Sequence, residues 1–162
     1  MTQLSIQQLL DLSGKSAIVT GGAMGIGEAI ATRLAEAGAQ VMISDINAEA
    51  GEKAAAALKA RGLKAEFVKT DASSVKDIQH TVDQTVDRFG GLDILVNNAG
   101  IFPFAPLSAI TEELWDKVQA INVKGYFFFA QLAAKAMVEQ GKGGRIINIA
   151  SIDALHPTGN LI

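Results

Sequence analysis

The chain has 162 residues, 49% hydrophobic and 19% charged, which is one domain's worth of chain with enough apolar side chains to bury a core and too many for a disordered segment. A net charge of −3 and a pI near 5.3 argue against nucleic acid or an anionic membrane held by bulk charge. No Cys is present and His80 and His156 are the two histidines, which excludes disulfides, thiol catalysis and a His-rich metal centre.

The start, MTQLSIQQLLDLSGK, lacks the basic-then-apolar order of a secretory signal. No apolar run reaches the roughly 18 residues that span a bilayer, so the expected location is cytoplasmic. Residues 15–20, KSAIVT, read as a first strand. A helix follows from Gly25 to Gly38, stopped at AGA. A strand is expected at 41–45, an Ala-rich helix at 48–61 ending at Gly62, and a strand at 65–70. Residues 75–89 form an amphipathic pattern closed by Gly90-Gly91, and 93–97 a fourth strand. Thr111-Glu112-Glu113-Leu114 is a capping signature, and helical character runs on to about Gln140. Residues 145–150, RIINIA, are the fifth strand. Strands without polar alternation imply burial on both faces, hence a parallel sheet between two layers of helices. Residues 1–162 are thus expected to form a single α/β domain, doubly wound and Rossmann-like.

Residues 20–27, TGGAMGIG, lie between the first strand and the first long helix. Glycines there permit a tight turn and close backbone approach, and the helix N-terminus offers free N–H groups to an anion such as a pyrophosphate. The spacing, Gly-x-x-x-Gly-x-Gly, differs from the Gly-x-Gly-x-x-Gly fingerprint, and a purely structural turn is the alternative. Asp45 ends the second strand, 18 residues after Gly27. An acid there accepts hydrogen bonds from an adenosine ribose and repels a 2′-phosphate; its alternative role is as N-cap of the next helix. Ile46 and Ala23 beside it supply no cation for that phosphate, so NAD is expected over NADP. Ligands of open α/β sheets gather beyond the carboxyl ends of the strands. The third strand ends at Asp71-Ala72, the fourth in NNAG, Asn97 to Gly100, and the fifth at Ser151. Each alone reads as a turn or cap residue; together they form a site.

TGGAMGIG, Asp45, Asp71, NNAG, Asn122 in INVKG and Ser151 in IINIAS, in this order, resemble the short-chain dehydrogenase/reductase family. The resemblance implies strand order 3-2-1-4-5, continuing to strands six and seven. It implies that Gly21, Met24, Gly25, Ile26 and Gly27 run along the nucleotide. Asp45 and Ile46 would meet the adenosine ribose, Asp71 and Ala72 the adenine, and Asn98, Ala99 and Gly100 the nicotinamide half. It makes the protein an oxidoreductase moving a hydride between NAD(H) and an alcohol or carbonyl substrate. Ser151 would hold the substrate oxygen and Asn122 a water of the proton relay. The general base implied by the family is a Tyr followed four residues later by a Lys; an unperturbed phenol near pKa ~10 is too protonated to act without such help. Counted from Ser151 this pair falls just beyond Ile162, and the one tyrosine present, Tyr126, has Ala at the fourth position after it. The 162 residues alone are therefore expected to lack turnover, with strands six and seven outside them. The alternative is an NAD-binding fragment or interaction module.

The stretch VKGYFFFAQLAAKAMVEQ is apolar nearly all round and needs cover on two sides. The resemblance implies a homo-oligomer through the helix around Tyr126–Met137. Trp115 is expected in the core, His80 in solvent, and His156 in a surface loop or against substrate. The apolar loop IFPFAPLS, residues 101–108, is expected to line the pocket.

Overall fold

The structure is a computed structural model that describes residues 5–156. Five parallel strands form one sheet, β1 (Ser16–Thr20), β2 (Gln40–Asp45), β3 (Ala65–Lys69), β4 (Ile94–Asn97) and β5 (Arg145–Asn148). Their order is β3-β2-β1-β4-β5. The helices are α1 (Ile6–Leu10), α2 (Gly25–Glu36), α3 (Ala48–Ala60), α4 (Val75–Phe89), α5 (Glu112–Gln119) and α6 (Tyr126–Glu139). The expected Rossmann-like, doubly wound sheet is therefore the observed one, with boundaries shifted by a residue or two at most elements.

Alternate residues of β1 face opposite layers. Ala17 and Val19 join Val41, Ile43 and the small residues Ala31, Ala35, Ala54 and Ala55 of α2 and α3. Ile18 joins Met42, Leu95 and the larger Ile78, Val82, Phe129 and Met137 of α4 and α6. The sheet is thus buried on both faces through β1, β2 and β4, as an apolar run without alternation requires. Small residues bring α2 close to the sheet, and this sets the height of the glycine turn above β1.

The structure departs from the sequence reading at several points. The helical stretch after Thr111 is not one α-helix: a π-helical turn at Ala120–Gly125 separates α5 from α6. With strands six and seven outside these residues, the fifth strand is expected to be an unprotected edge, and all of Arg145–Asn148 is exposed, with Ile147 47% accessible. β5 has β4 as its one neighbour among the described residues. Met137 and Phe129 are not available to a second subunit, because both are buried in the core against the sheet; on the same helix Phe127 is 59% exposed. Trp115 is half exposed rather than in the core. The short helix α1, closed by a capping box between Ser5 and Gln8, was not foreseen, and none of its residues is buried. No helix among the described residues is long and apolar enough to cross a membrane.

At the opposite end of the sheet from the site, Asp93 joins β1 to β4. Its carboxylate accepts the Ser16 N–H at 3.0 Å and the Lys15 ammonium at 3.0 Å. Burial alone would raise this carboxyl, but the Ser16 backbone bond and Lys15 together hold it below the ordinary 3.8. A depressed folded pKa contributes stability that is complete above the unfolded value and is lost as pH falls through the folded one. Asp93→Asn should cost about 1–2 kcal/mol at pH 7 by urea denaturation, with Ser16 and Lys15 left poorly paired. The gap between variant and unmodified protein should close as pH drops below about 3.8; a gap independent of pH would remove the carboxylate from the account.

Candidate functional site at the carboxyl end of the sheet

The site is organised where β1 meets β4. Thr20 ends β1, and its Oγ1 accepts the N–H groups of Asn98 and Ala99, each at 2.9 Å. Asn98 answers by donating its Nδ2 to the carbonyls of Thr20 at 2.9 Å and Gly21 at 3.2 Å. The glycine turn and NNAG are one hydrogen-bonded unit, although 78 residues separate Thr20 from Asn98 in the chain. Gly27 seats the first turn of α2 on this unit. A methyl group there would overlap the Gly21 carbonyl oxygen and lie 2.6 Å from Asn98 Nδ2. Met24, at the N-cap of α2, supplies no side-chain bond. The first-turn N–H groups around Gly25 and Ile26 have no partner inside the helix, and are left to an outside acceptor. Met24 and Ile26 are both exposed beside them.

Asp45 stands at the next strand end. Its Oδ2 accepts the Ala23 N–H at 3.1 Å and its Oδ1 the Asn47 N–H at 3.0 Å. It is not the cap of α3, a role taken by Asn47, whose Oδ1 accepts the Ala50 N–H at 3.1 Å. A carboxylate offers about four acceptor positions, so Asp45 gives one to the glycine turn and one to Asn47 and keeps the rest. Ile46 beside it is exposed. Asp71, after β3, accepts both the N–H (2.8 Å) and the hydroxyl (2.7 Å) of Ser73. Its own N–H donates to Asp77 at 3.1 Å. Ser73 and Asp77 were not read from the sequence, since local loop bonds carry no spacing signature.

The π turn brings Asn122 to the fourth strand end. Asn122 Oδ1 accepts the Ile101 N–H at 3.0 Å, and its Nδ2 donates to the Ile101 carbonyl at 2.9 Å. This two-way clamp holds the chain just after Gly100. Gly125 closes the same turn against the third strand end: a methyl on it would lie 2.5 Å from the Ala72 carbonyl oxygen. A π-bulge of this kind is frequent at functional sites; here it lets one short turn touch Ala72 and Ile101 together. Ser151 follows β5. Its Oγ accepts the Asp153 N–H at 3.1 Å and donates to the Asp153 carboxylate at 2.9 Å, capping the short turn Ile152–Ala154. The loop after Gly100 is apolar as expected, and Phe104, 81% accessible, projects from it. His80 and His156 are exposed.

Two polar groups beneath the site make bonds that the sequence does not show. Asn97 is fully buried; its Nδ2 donates to the Tyr126 carbonyl at 3.2 Å and to Asn148 Oδ1 at 3.0 Å. The Tyr126 hydroxyl donates to the Ile149 carbonyl at 3.2 Å. Burial raises the Tyr126 hydroxyl above its ordinary 10.0, so it stays protonated and acts as a donor. Asn97 Oδ1 is the buried side-chain atom left without a partner among the described residues.

With this arrangement in view, the family model for short chain dehydrogenases matches residues 15–162. The chain belongs to that family. Sorbitol dehydrogenase of Cereibacter sphaeroides is 45% identical over 140 residues, covering 86% of this chain and 54% of that protein. An L-rhamnose 1-dehydrogenase (NADP(+)) of Thermoplasma acidophilum is 42% identical over 148 residues, covering 90% of this chain and 58% of that protein. A short-chain type dehydrogenase/reductase from Mycobacterium marinum superposes with a TM-score of 0.93 at 37% identity, covering 98% of this chain and 64% of that one. NAD+-bound xylitol dehydrogenase gives 0.87 at 37% identity, covering 92% and 57%. The chain spans a little over half the length of these curated relatives.

Gly27→Ala is the sharpest single test of the turn. The added methyl must push α2 away from Gly21 and Asn98, opening the turn. Dinucleotide affinity measured by NADH fluorescence should fall at least tenfold, a loss of about 1.4 kcal/mol, while far-ultraviolet circular dichroism is retained. Unchanged affinity would place the dinucleotide elsewhere.

Proposed function

We propose that this dehydrogenase binds NAD along the carboxyl end of the sheet and oxidises an alcohol, or reduces the matching carbonyl, at Ser151. The observation that carries the reading is the uncapped N-terminus of α2, seated by Gly27 beside a carboxylate with spare acceptor capacity. A pyrophosphate fits the free N–H groups near Gly21, Met24, Gly25, Ile26 and Gly27. Asp45 would accept from the adenosine ribose, with Ile46 alongside. Asp71 and Ala72 would border the adenine, and Asn98, Ala99 and Gly100 the nicotinamide half. NAD, when bound, supplies the hydride acceptor.

The chain's own residues position and exclude. Asn122 fixes the backbone at Ile101 and so the wall next to Gly100. The exposed apolar loop with Phe102 and Phe104 would cover the reacting centre from water. The Ser151 hydroxyl can leave the Asp153 carboxylate to donate to a substrate oxygen. Tyr126 is a poor base, because its proton is committed to the Ile149 carbonyl and burial raises its pKa. The proton acceptor is thus a different group of the intact protein. The resemblance to sorbitol and xylitol dehydrogenases supports polyols as first substrates. The outward face of α6 at Phe127 supports pairing with a second copy. The alternative, a dinucleotide-binding module without turnover, rests on the hydrogen-bonded state of Ser151.

NAD preference rests on Asp45 and on the lack of a neighbouring cation at Ala23 and Ile46. The intact protein should bind NADH at least about tenfold more tightly than NADPH, the worth of one charge-assisted ribose bond. Asp45→Ala should narrow this to within about twofold. It should also weaken both cofactors, because the Ala23 N–H loses its acceptor. A prior preference for NADPH would overturn the assignment. Turnover with sorbitol, xylitol and an apolar secondary alcohol then separates enzyme from binder: a protein that binds NADH and reduces NAD with none of them supports the module reading.

A further inference from the structure

We propose that Tyr126 is a positioning residue that holds Ser151 in register with Asn122. The inference rests on the oxidoreductase reading of those two residues and assigns a role to the one tyrosine of the chain. Tyr126 begins α6 directly after the π turn that carries Asn122, four residues upstream. Its hydroxyl reaches across to the Ile149 carbonyl at 3.2 Å, two residues before Ser151. Its own carbonyl accepts Asn97 Nδ2 at 3.2 Å, and the same amide holds Asn148 Oδ1 at 3.0 Å. β4, β5 and α6 are therefore tied at one point beneath the site.

The need for such a tie follows from the state of β5. The strand is exposed along its length and paired on one side among the described residues. Apolar packing alone gives its end little definition. The last ladder bond, from the Ile149 N–H to the Asn97 carbonyl at 2.9 Å, precedes Ser151 by two residues. The Tyr126 hydroxyl takes the other polar group of Ile149, so this residue is held through both its N–H and its C=O. Beyond it, Ser151 bonds to Asp153. The position of Ser151 relative to Asn122 is set through a path of four residues from Asn122 to Tyr126 and two from Ile149 to Ser151. A phenylalanine at 126 keeps the ring and removes the tether.

The test is Tyr126→Phe in the intact protein, read in two independent ways. Hydrogen exchange reads the geometry without reference to turnover. The amides of Ile149, Asp153 and Ala154 should exchange at least tenfold faster in the variant, with β1 and α4 unchanged. Equal exchange at those amides overturns the proposal whether or not the protein is a dehydrogenase. Steady-state kinetics read the consequence: kcat should fall about tenfold while KM for NAD stays within twofold. A general loss of stability would instead depress cofactor binding and speed exchange throughout the sheet, and that pattern also overturns the proposal. Faster exchange confined to 149–154 in a protein that turns over no alcohol supports the tether and overturns the oxidoreductase reading of Ser151.

Discussion

Everything at the carboxyl end of this sheet depends on the joint between Thr20 and Asn98. Two adjacent N–H groups converge on one threonine hydroxyl, and one asparagine amide spans two consecutive carbonyls. These are buried or half-buried polar groups, and each would cost about 1–3 kcal/mol if left unmade. The joint therefore fixes the glycine turn against NNAG. Gly27 then seats α2 without a side chain in the way, and the helix N-terminus faces outward. Asp45 braces the turn from the other side through Ala23. The N-terminal end of α2 is thus held from both neighbouring strands.

The half of the site toward β5 is built differently. Its definition comes from side chains that grip backbone: Asn122 on Ile101 and Tyr126 on Ile149. Each substitutes for a ladder bond where the sheet has run out. The π turn is the device that makes this possible. One extra residue per turn rotates Asn122 toward Ile101 and lets Gly125 rest on the Ala72 carbonyl, so the turn joins the chain after β3 to the chain after β4. This half is also the more exposed, with Phe102 and Phe104 accessible.

The core explains why the two halves differ. Beneath the glycine turn the sheet packs against Ala31, Ala35, Ala54 and Ala55, which bring helices close and hold strand ends at fixed height. On the opposite face α6 packs through the larger Phe129 and Met137. The Tyr126 ring carries its hydroxyl from α6 to the Ile149 carbonyl after β5.

Sequence alone determined the fold class, the strand order through resemblance, and the cluster of polar residues at strand ends. Period, glycine position and motif spacing are local properties, and a parallel sheet places every strand's carboxyl end on one edge. TGGAMGIG, Asp45 and NNAG were legible for that reason. What only the tertiary structure decided were the partners. That Asp45 braces Ala23 rather than capping α3, that Met137 and Phe129 face inward, that Ser151 bonds Asp153 and that Tyr126 tethers Ile149 all depend on which groups meet across the fold. Those meetings are set by the rotation of helices and the order of strands, and no residue's neighbours in the chain record them.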